Sequence, residues 1–134
     1  MNAFFDSNIL IYAYSTDPRR DRALAVVAAG GVISAQVLNE FTNVLRKKQK
    51  QAWPIVEAAV DSIRFQFPDI VPLTAEIQAA ALGLAGDHGF AFYDALIVAA
   101  AIEAGCDILY SEDMQHGRAV SGLTIRNPFV EGAP

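Results

Sequence analysis

Every residue from Ala95 to Ile102 is apolar, and up to Ala104 only Glu103 interrupts the run. Wound at helical period, such a segment is apolar on nearly every face, so the fold must cover it on all sides. It is also far shorter than the roughly 20 residues that cross a bilayer. A buried helix inside a soluble protein is therefore expected. A chain of 134 residues that is 53% hydrophobic can supply that cover with one core. One globular domain is expected over residues 1–130, with a short tail at 131–134. No basic leader or small-residue cleavage site accompanies the first apolar run, so no signal peptide is expected. The single cysteine, Cys106, excludes an internal disulfide and a cysteine zinc site. It reads as a buried, inert thiol in a reducing cytoplasm.

Short apolar runs and helical stretches alternate around the buried helix. Ala3-Phe4-Phe5, Val32-Ile33, Ile70-Val71, Asp107 to Tyr110 and Leu123 to Ile125 read as strands. The first helix follows Asp6-Ser7-Asn8, with Ser7 or Asn8 suited to cap it. Further helices are expected over Arg20 to Ala29, Ala35 to about Lys48 after the cap Ser34, and Trp53 to about Phe67. A helix from Thr74 to about Leu84 follows, then a loop loosened by Gly83, Gly86 and Gly89, then the buried helix from Tyr93-Asp94 to Gly105. Strands separated by helices imply a three-layer α/β/α sandwich with a mostly parallel four- to five-stranded sheet. No repeat, low-complexity tract or linker divides the chain.

Asp6, Glu40, Asp94 and Asp113 each stand where an apolar run starts or stops. In an open α/β fold, acids so placed converge at the sheet end where sites form. Each also has a local alternative. Asp6 suits a turn with a helix cap, and Asp94 the cap of the buried helix. Glu40 borders the stripe Val37, Leu38, Phe41, Val44 and Leu45, in line with Gln36, Asn43 and Lys47, and could pair with Asn43 or Lys47 or reach solvent. Glu112 competes with Asp113. Four carboxylates in one pocket cannot all stay ionised without a cation, and hard oxygens suit magnesium or manganese. Such a pocket supports metal-assisted phosphodiester cleavage. His88 and His116 stand alone and form no zinc set.

Net charge is −5, but it is unevenly spread. Residues 1–66 hold eight basic and six acidic side chains, and the remainder two basic and nine acidic. A basic rim beside an acidic pocket is one consequence. Arg46, Lys47, Lys48 and Lys50, with Arg19, Arg20 and Arg22, are candidates for phosphate contacts, a solvated helix end being the alternative. Trp53, Tyr12 and Tyr14 suit either base stacking or the core.

In order along the chain, Asp6-Ser7-Asn8-Ile9-Leu10-Ile11-Tyr12, Leu38-Asn39-Glu40-Phe41, the run from Tyr93-Asp94 to Ala101, and Ser111-Glu112-Asp113 resemble the PIN-domain ribonucleases. Length and lack of appendages resemble the VapC-type toxins of bacterial toxin–antitoxin pairs. The resemblance implies a magnesium- or manganese-dependent endoribonuclease for single-stranded or structured RNA, usually a homodimer, held inactive by a small cognate antitoxin in its acidic groove. It matches Asp6, Glu40, Asp94 and Asp113 to the family's acids, as catalytic residues and metal ligands, and Asn8 and Ser111 to polar residues that orient the site. Many relatives carry another acid and a phenylalanine after the last aspartate, whereas this chain has Met114-Gln115-His116-Gly117. A solitary PIN nuclease without antitoxin is the alternative. An aspartate-based phosphotransferase or receiver would need a late basic clamp, and no lysine follows Lys50. No glycine-rich phosphate loop is present.

Overall fold

The computed structural model describes residues 2–130; Met1 and the expected tail at 131–134 lie outside the described residues. Six short strands form: β1 (Ala3–Phe5), β2 (Ile33–Ser34), β3 (Ile70–Val71), β4 (Ile108–Tyr110), β5 (Ala119–Val120) and β6 (Leu123–Arg126). Four of them make a sheet in the order β1-β4-β6-β5, and β2 pairs with β3. Two backbone hydrogen bonds, Phe5 N to Val32 O at 3.1 Å and Val32 N to Ala3 O at 2.9 Å, join the pair to the free edge of β1. All pairings are parallel except β5 with β6. The expected α/β fold with a mostly parallel sheet is present.

Six helices connect the strands: α1 (Ser7–Ala13), α2 (Arg20–Ala28), α3 (Ala35–Asn43), α4 (Trp53–Gln66), α5 (Ala75–His88) and α6 (Phe92–Glu103). Every residue of α6 from Ala95 to Ala101 is buried, as its all-round apolarity demands. Alanine at 95, 99, 100 and 101 keeps its girth small where it packs on α5, α3 and β2. Phe4, Phe5, Leu109, Leu123 and Ile125 carry the strand side of the core. Cys106 is buried, and burial, then Asp107, pushes its thiol pKa up. Among the described residues no helix is long and apolar enough to cross a membrane.

Several boundaries differ from expectation. Helix α5 runs through Gly83 and Gly86 and stops only at Gly89, whose φ of +73° closes it. Packing on α6 outweighs about 1 kcal/mol per helical glycine, which local propensity alone would have charged against it. Asp6, not Ser7 or Asn8, caps α1 by accepting from Ser7 N at 2.7 Å. Asp94 is not a cap either: α6 begins at Phe92 after Ala91, and Asp94 lies in the first turn. Helix α3 changes at Val44 into a π-helical turn over Val44–Lys48, with Gln49 N bonded to Val44 O at 3.0 Å. Strand β5 is not among the expected strands. Its signal was Ser121-Gly122, whose φ angles of 49° and 82° make the tight hairpin to β6.

Candidate active site

Parallel pairing of β1 with β4 sets the ends of two strands side by side, with Asp6 N donating to Tyr110 O at 2.9 Å. The next residues, Asp6 and Ser111, then meet: Ser111 Oγ donates to Asp6 Oδ2 at 2.7 Å, and both are buried. Because α1 starts immediately after β1, its first turn also faces this point. Asn8 Nδ2 donates to Asp6 Oδ2 at 3.2 Å and to Asp113 Oδ2 at 3.1 Å, while Asn8 Oδ1 accepts from Glu112 N at 3.1 Å. All three contacts agree on one orientation of the amide. Ser7 Oγ donates to Glu40 Oε1 at 3.0 Å, and Gln36 Nε2, one turn earlier on α3, donates to Glu40 Oε2 at 3.2 Å. Glu40 is thus partnered by Ser7 and Gln36, not by Lys47 or Asn43.

The electrostatics show one frustrated pocket. Burial pushes the Asp6 carboxyl up to about 7, against the hydrogen bonds from Ser111 and Ser7, and the charges of Glu40 and Asp94 push the same way. Asp94 is raised by its own burial, then by Glu40 and Asp113. Asp6 and Asp94 thus share the field of Glu40, and Asp94 also feels Asp113. The described ion pairs join Arg19 to Asp17 and to Glu112, and none reaches these four. Glu112 is instead held by Tyr12 Oη at 2.6 Å and Arg19 Nε at 3.4 Å. The Tyr12 phenol is in turn pushed up to about 12, by burial and then by Glu112. Of the two competing acids, Asp113 is the one tied to Asp6 through Asn8.

Among the described residues, no three His, Cys, Asp or Glu side chains are grouped so as to hold a metal ion as they stand. The chemistry of the donors nevertheless fits a hard divalent ion. Among the described residues the side-chain donors here are carboxylate, amide and hydroxyl oxygens, Asp6 is buried, and neither ion pair of Arg19 reaches the four acids. Beside Glu40, a cleft of about 560 Å³ opens between Gln36, Asn39, Asn43 and Tyr93.

The profile of the PIN domain matches residues 3–120. The chain belongs to the PIN domain family. Solved structures with the same fold include a toxin–antitoxin complex from Klebsiella pneumoniae, at TM-score 0.73 and 21% identity, covering 96% of this chain and 98% of that one. A DNA-bound VapBC from Salmonella typhimurium aligns at TM-score 0.71 and 13% identity, covering 96% and 98%. VapC20 of Mycobacterium tuberculosis, described as a sarcin–ricin loop cleaving toxin, aligns at TM-score 0.69 and 20% identity, covering 84% and 90%. Sequence comparison with curated proteins gives no match.

Four basic side chains of this PIN domain line two separate grooves. Arg46, Lys47 and Lys50 line one of about 670 Å³ together with Trp53. Arg20 lines another of about 1070 Å³, with Tyr14, Leu24 and Gln49, which none of the four acids borders. Lys48 is exposed on the π turn and lines neither. Trp53 and Tyr14 are 52% and 42% exposed, so neither is a core residue. Ser7 and Gln36 were not singled out from sequence as partners of Glu40. A hydroxyl next to the strand-end acid, and an amide one helical turn before Glu40, were the available signals.

Proposed function

We propose that this PIN domain is a metal-dependent endoribonuclease that cuts single-stranded or structured RNA and serves as the toxin of a toxin–antitoxin pair. The observation that carries the reading is a buried aspartate, Asp6, raised by the charges of Glu40 and Asp94 and bridged through Asn8 to Asp113, with no ion pair to these acids among the described residues. Asp6, Asp94, Asp113 and Glu40 would hold magnesium or manganese. Bound there, the ion supplies Lewis-acid polarisation of a phosphoryl oxygen and a lowered pKa for water. The chain's own residues prepare the pocket. Ser111 and Ser7 stabilise the charged form of Asp6, which must release its proton near neutral pH before it can serve as a ligand. Asn8 fixes Asp6 and Asp113 relative to each other. Ser7 and Gln36 keep Glu40 beside the cleft at Asn39 and Tyr93.

The descriptions of the Klebsiella, Salmonella and Mycobacterium neighbours support the toxin role with an antitoxin as partner; a small antitoxin and a homodimeric working form are part of the same proposal. A cytoplasmic site of action agrees with the buried, unpaired Cys106. Purified protein is expected to cleave single-stranded RNA with magnesium or manganese, and Asp6→Asn or Asp94→Asn to lower the rate at least ~100-fold with unchanged circular dichroism. Equal cleavage in EDTA, or by both variants, would overturn the carboxylate mechanism. For the toxin role, a short reading frame beside the gene should encode a protein that binds the chain and blocks cleavage. A gene without such a neighbour would leave a solitary nuclease.

A further inference from the structure

The outer side of α3 carries a feature that cleavage chemistry does not use. The cleft at Glu40 and Tyr93 shares Asn39 and Asn43 with the groove formed by Arg46, Lys47, Lys50 and Trp53. From Glu40 to Lys47 the helix advances roughly 10 Å, the reach of a few nucleotides at a stacked rise of about 3.4 Å.

The far end of this path is preformed. The Arg46 guanidinium lies 4.6 Å from the Trp53 ring centroid, and its Nη1 also donates to Gln51 O at 3.0 Å. A planar cation pinned against an indole extends a stacking surface, yet Trp53 remains 52% exposed. The backbone here departs from regular helix twice. Arg46 and Lys47 lie on the π turn, and Lys50 adopts φ +54°, a left-handed conformation that glycine would take without strain. Strain and helix irregularity of this kind concentrate at functional sites. Three cations flank the exposed ring, which suits a base with its phosphates better than an apolar protein surface.

We propose that Arg46, Lys47, Lys50 and Trp53 form a nucleotide subsite for single-stranded RNA. A base stacks on the exposed part of the Arg46–Trp53 pair, Lys47 and Lys50 neutralise the adjoining phosphates, and the strand runs past Asn43 and Asn39 to the acids. Only the destination of the strand rests on the nuclease reading.

Trp53 is the one tryptophan of the chain, so its fluorescence reports this subsite alone. Titrating the whole protein with short single-stranded RNA in EDTA and low salt is expected to quench it, with affinity falling as salt rises. Trp53→Ala should weaken binding, followed by anisotropy, on the order of tenfold. Lys50→Gly keeps the left-handed backbone, removes one charge, and should reduce the salt slope by about 0.7. An oligonucleotide abasic throughout should bind without quenching. Binding that leaves Trp53 emission unchanged, absence of binding, or unaltered affinity in both variants would overturn the subsite. Emission that follows protein concentration and ignores RNA would assign Trp53 to a contact between copies, and also overturn it. Magnesium-dependent cleavage with an unresponsive Trp53 would leave the nuclease reading intact, whereas quenching without cleavage would do the reverse.

Discussion

At the residue scale, Asp6 sets the behaviour of the site. Its ordinary pKa is 3.8 and the fold raises it to about 7, chiefly by burial. Between those values the native chain holds a proton that the unfolded chain has released. Native stability is therefore fully retained below 3.8, falls as pH rises through the window, and levels off above about 7. At roughly 1.4 kcal/mol per unit the full effect is about 4 kcal/mol. Urea unfolding in EDTA should show a midpoint that drops from about pH 5 to about pH 8, and Asp6→Asn should flatten that slope and exceed wild type at the upper end. A parallel slope in the variant would mean another group titrates. The raised pKa also makes cation binding release a proton, so manganese affinity should weaken about tenfold per unit as pH falls below about 7. Isothermal titration in buffers of different ionisation heat measures that proton directly. Ser111→Ala removes the 2.7 Å hydrogen bond to Asp6, and should cost about 1–3 kcal/mol of stability above neutral pH and less at low pH. Asp6 was legible as a strand-end acid and Ser111, through the resemblance, as a residue that orients the site, whereas their contact with each other needed β4 beside β1.

At the scale of elements, patterns repeated over many residues were read well and junctions were not. The caps Ser34 and Thr74 hold α3 and α5 as anticipated, accepting from Val37 N at 3.2 Å and Ile77 N at 3.1 Å. The ends of α1, α3, α5 and α6 differ from expectation: Asp6 caps α1, a π turn follows α3, α5 runs on to Gly89, and α6 begins at Phe92. Gly31 shows the difference between a turn and a contact. It lies after the end of α2, where two glycines signal a chain reversal, yet a Cβ there would stand 2.5 Å from Ala3 O and from Phe5 Cε2. Neither is a flexible side-chain end that can swing aside freely, because Ala3 O also accepts from Val32 N. Gly31→Ala should push β1 away from β2, lower stability by about 1–3 kcal/mol, and reduce cleavage by displacing Asp6. Chemical denaturation gives the first quantity and single-turnover cleavage the second. A variant as stable as wild type would mean that the strands yield without strain.

For the whole molecule, the sheet order accounts for both the site and its energetics. Strands β1 and β4 are neighbours, and at the end of β1 burial and the charges of Glu40 and Asp94 raise the pKa of Asp6. A cation that binds only the native state should add about 2.7 kcal/mol at a hundredfold excess over its Kd. For a chain of this length that is a rise in Tm on the order of 10 °C. Calorimetry should show this rise with manganese relative to EDTA and its loss in Asp94→Asn; no difference between the two conditions in wild type would argue against a divalent site. Sequence alone determined the α/β class and the buried character of α6, and marked Asp6, Glu40, Asp94 and Asp113 as candidates, because apolar period and strand-end position are local properties. Which acids share a pocket was decided only by tertiary structure. Ser7 meets Glu40 across 33 positions, and Asn8 meets Asp113 across 105. The first follows from the packing of α1 on α3 and the second from the parallel pairing of β1 with β4, and neither leaves a periodic trace in its own segment.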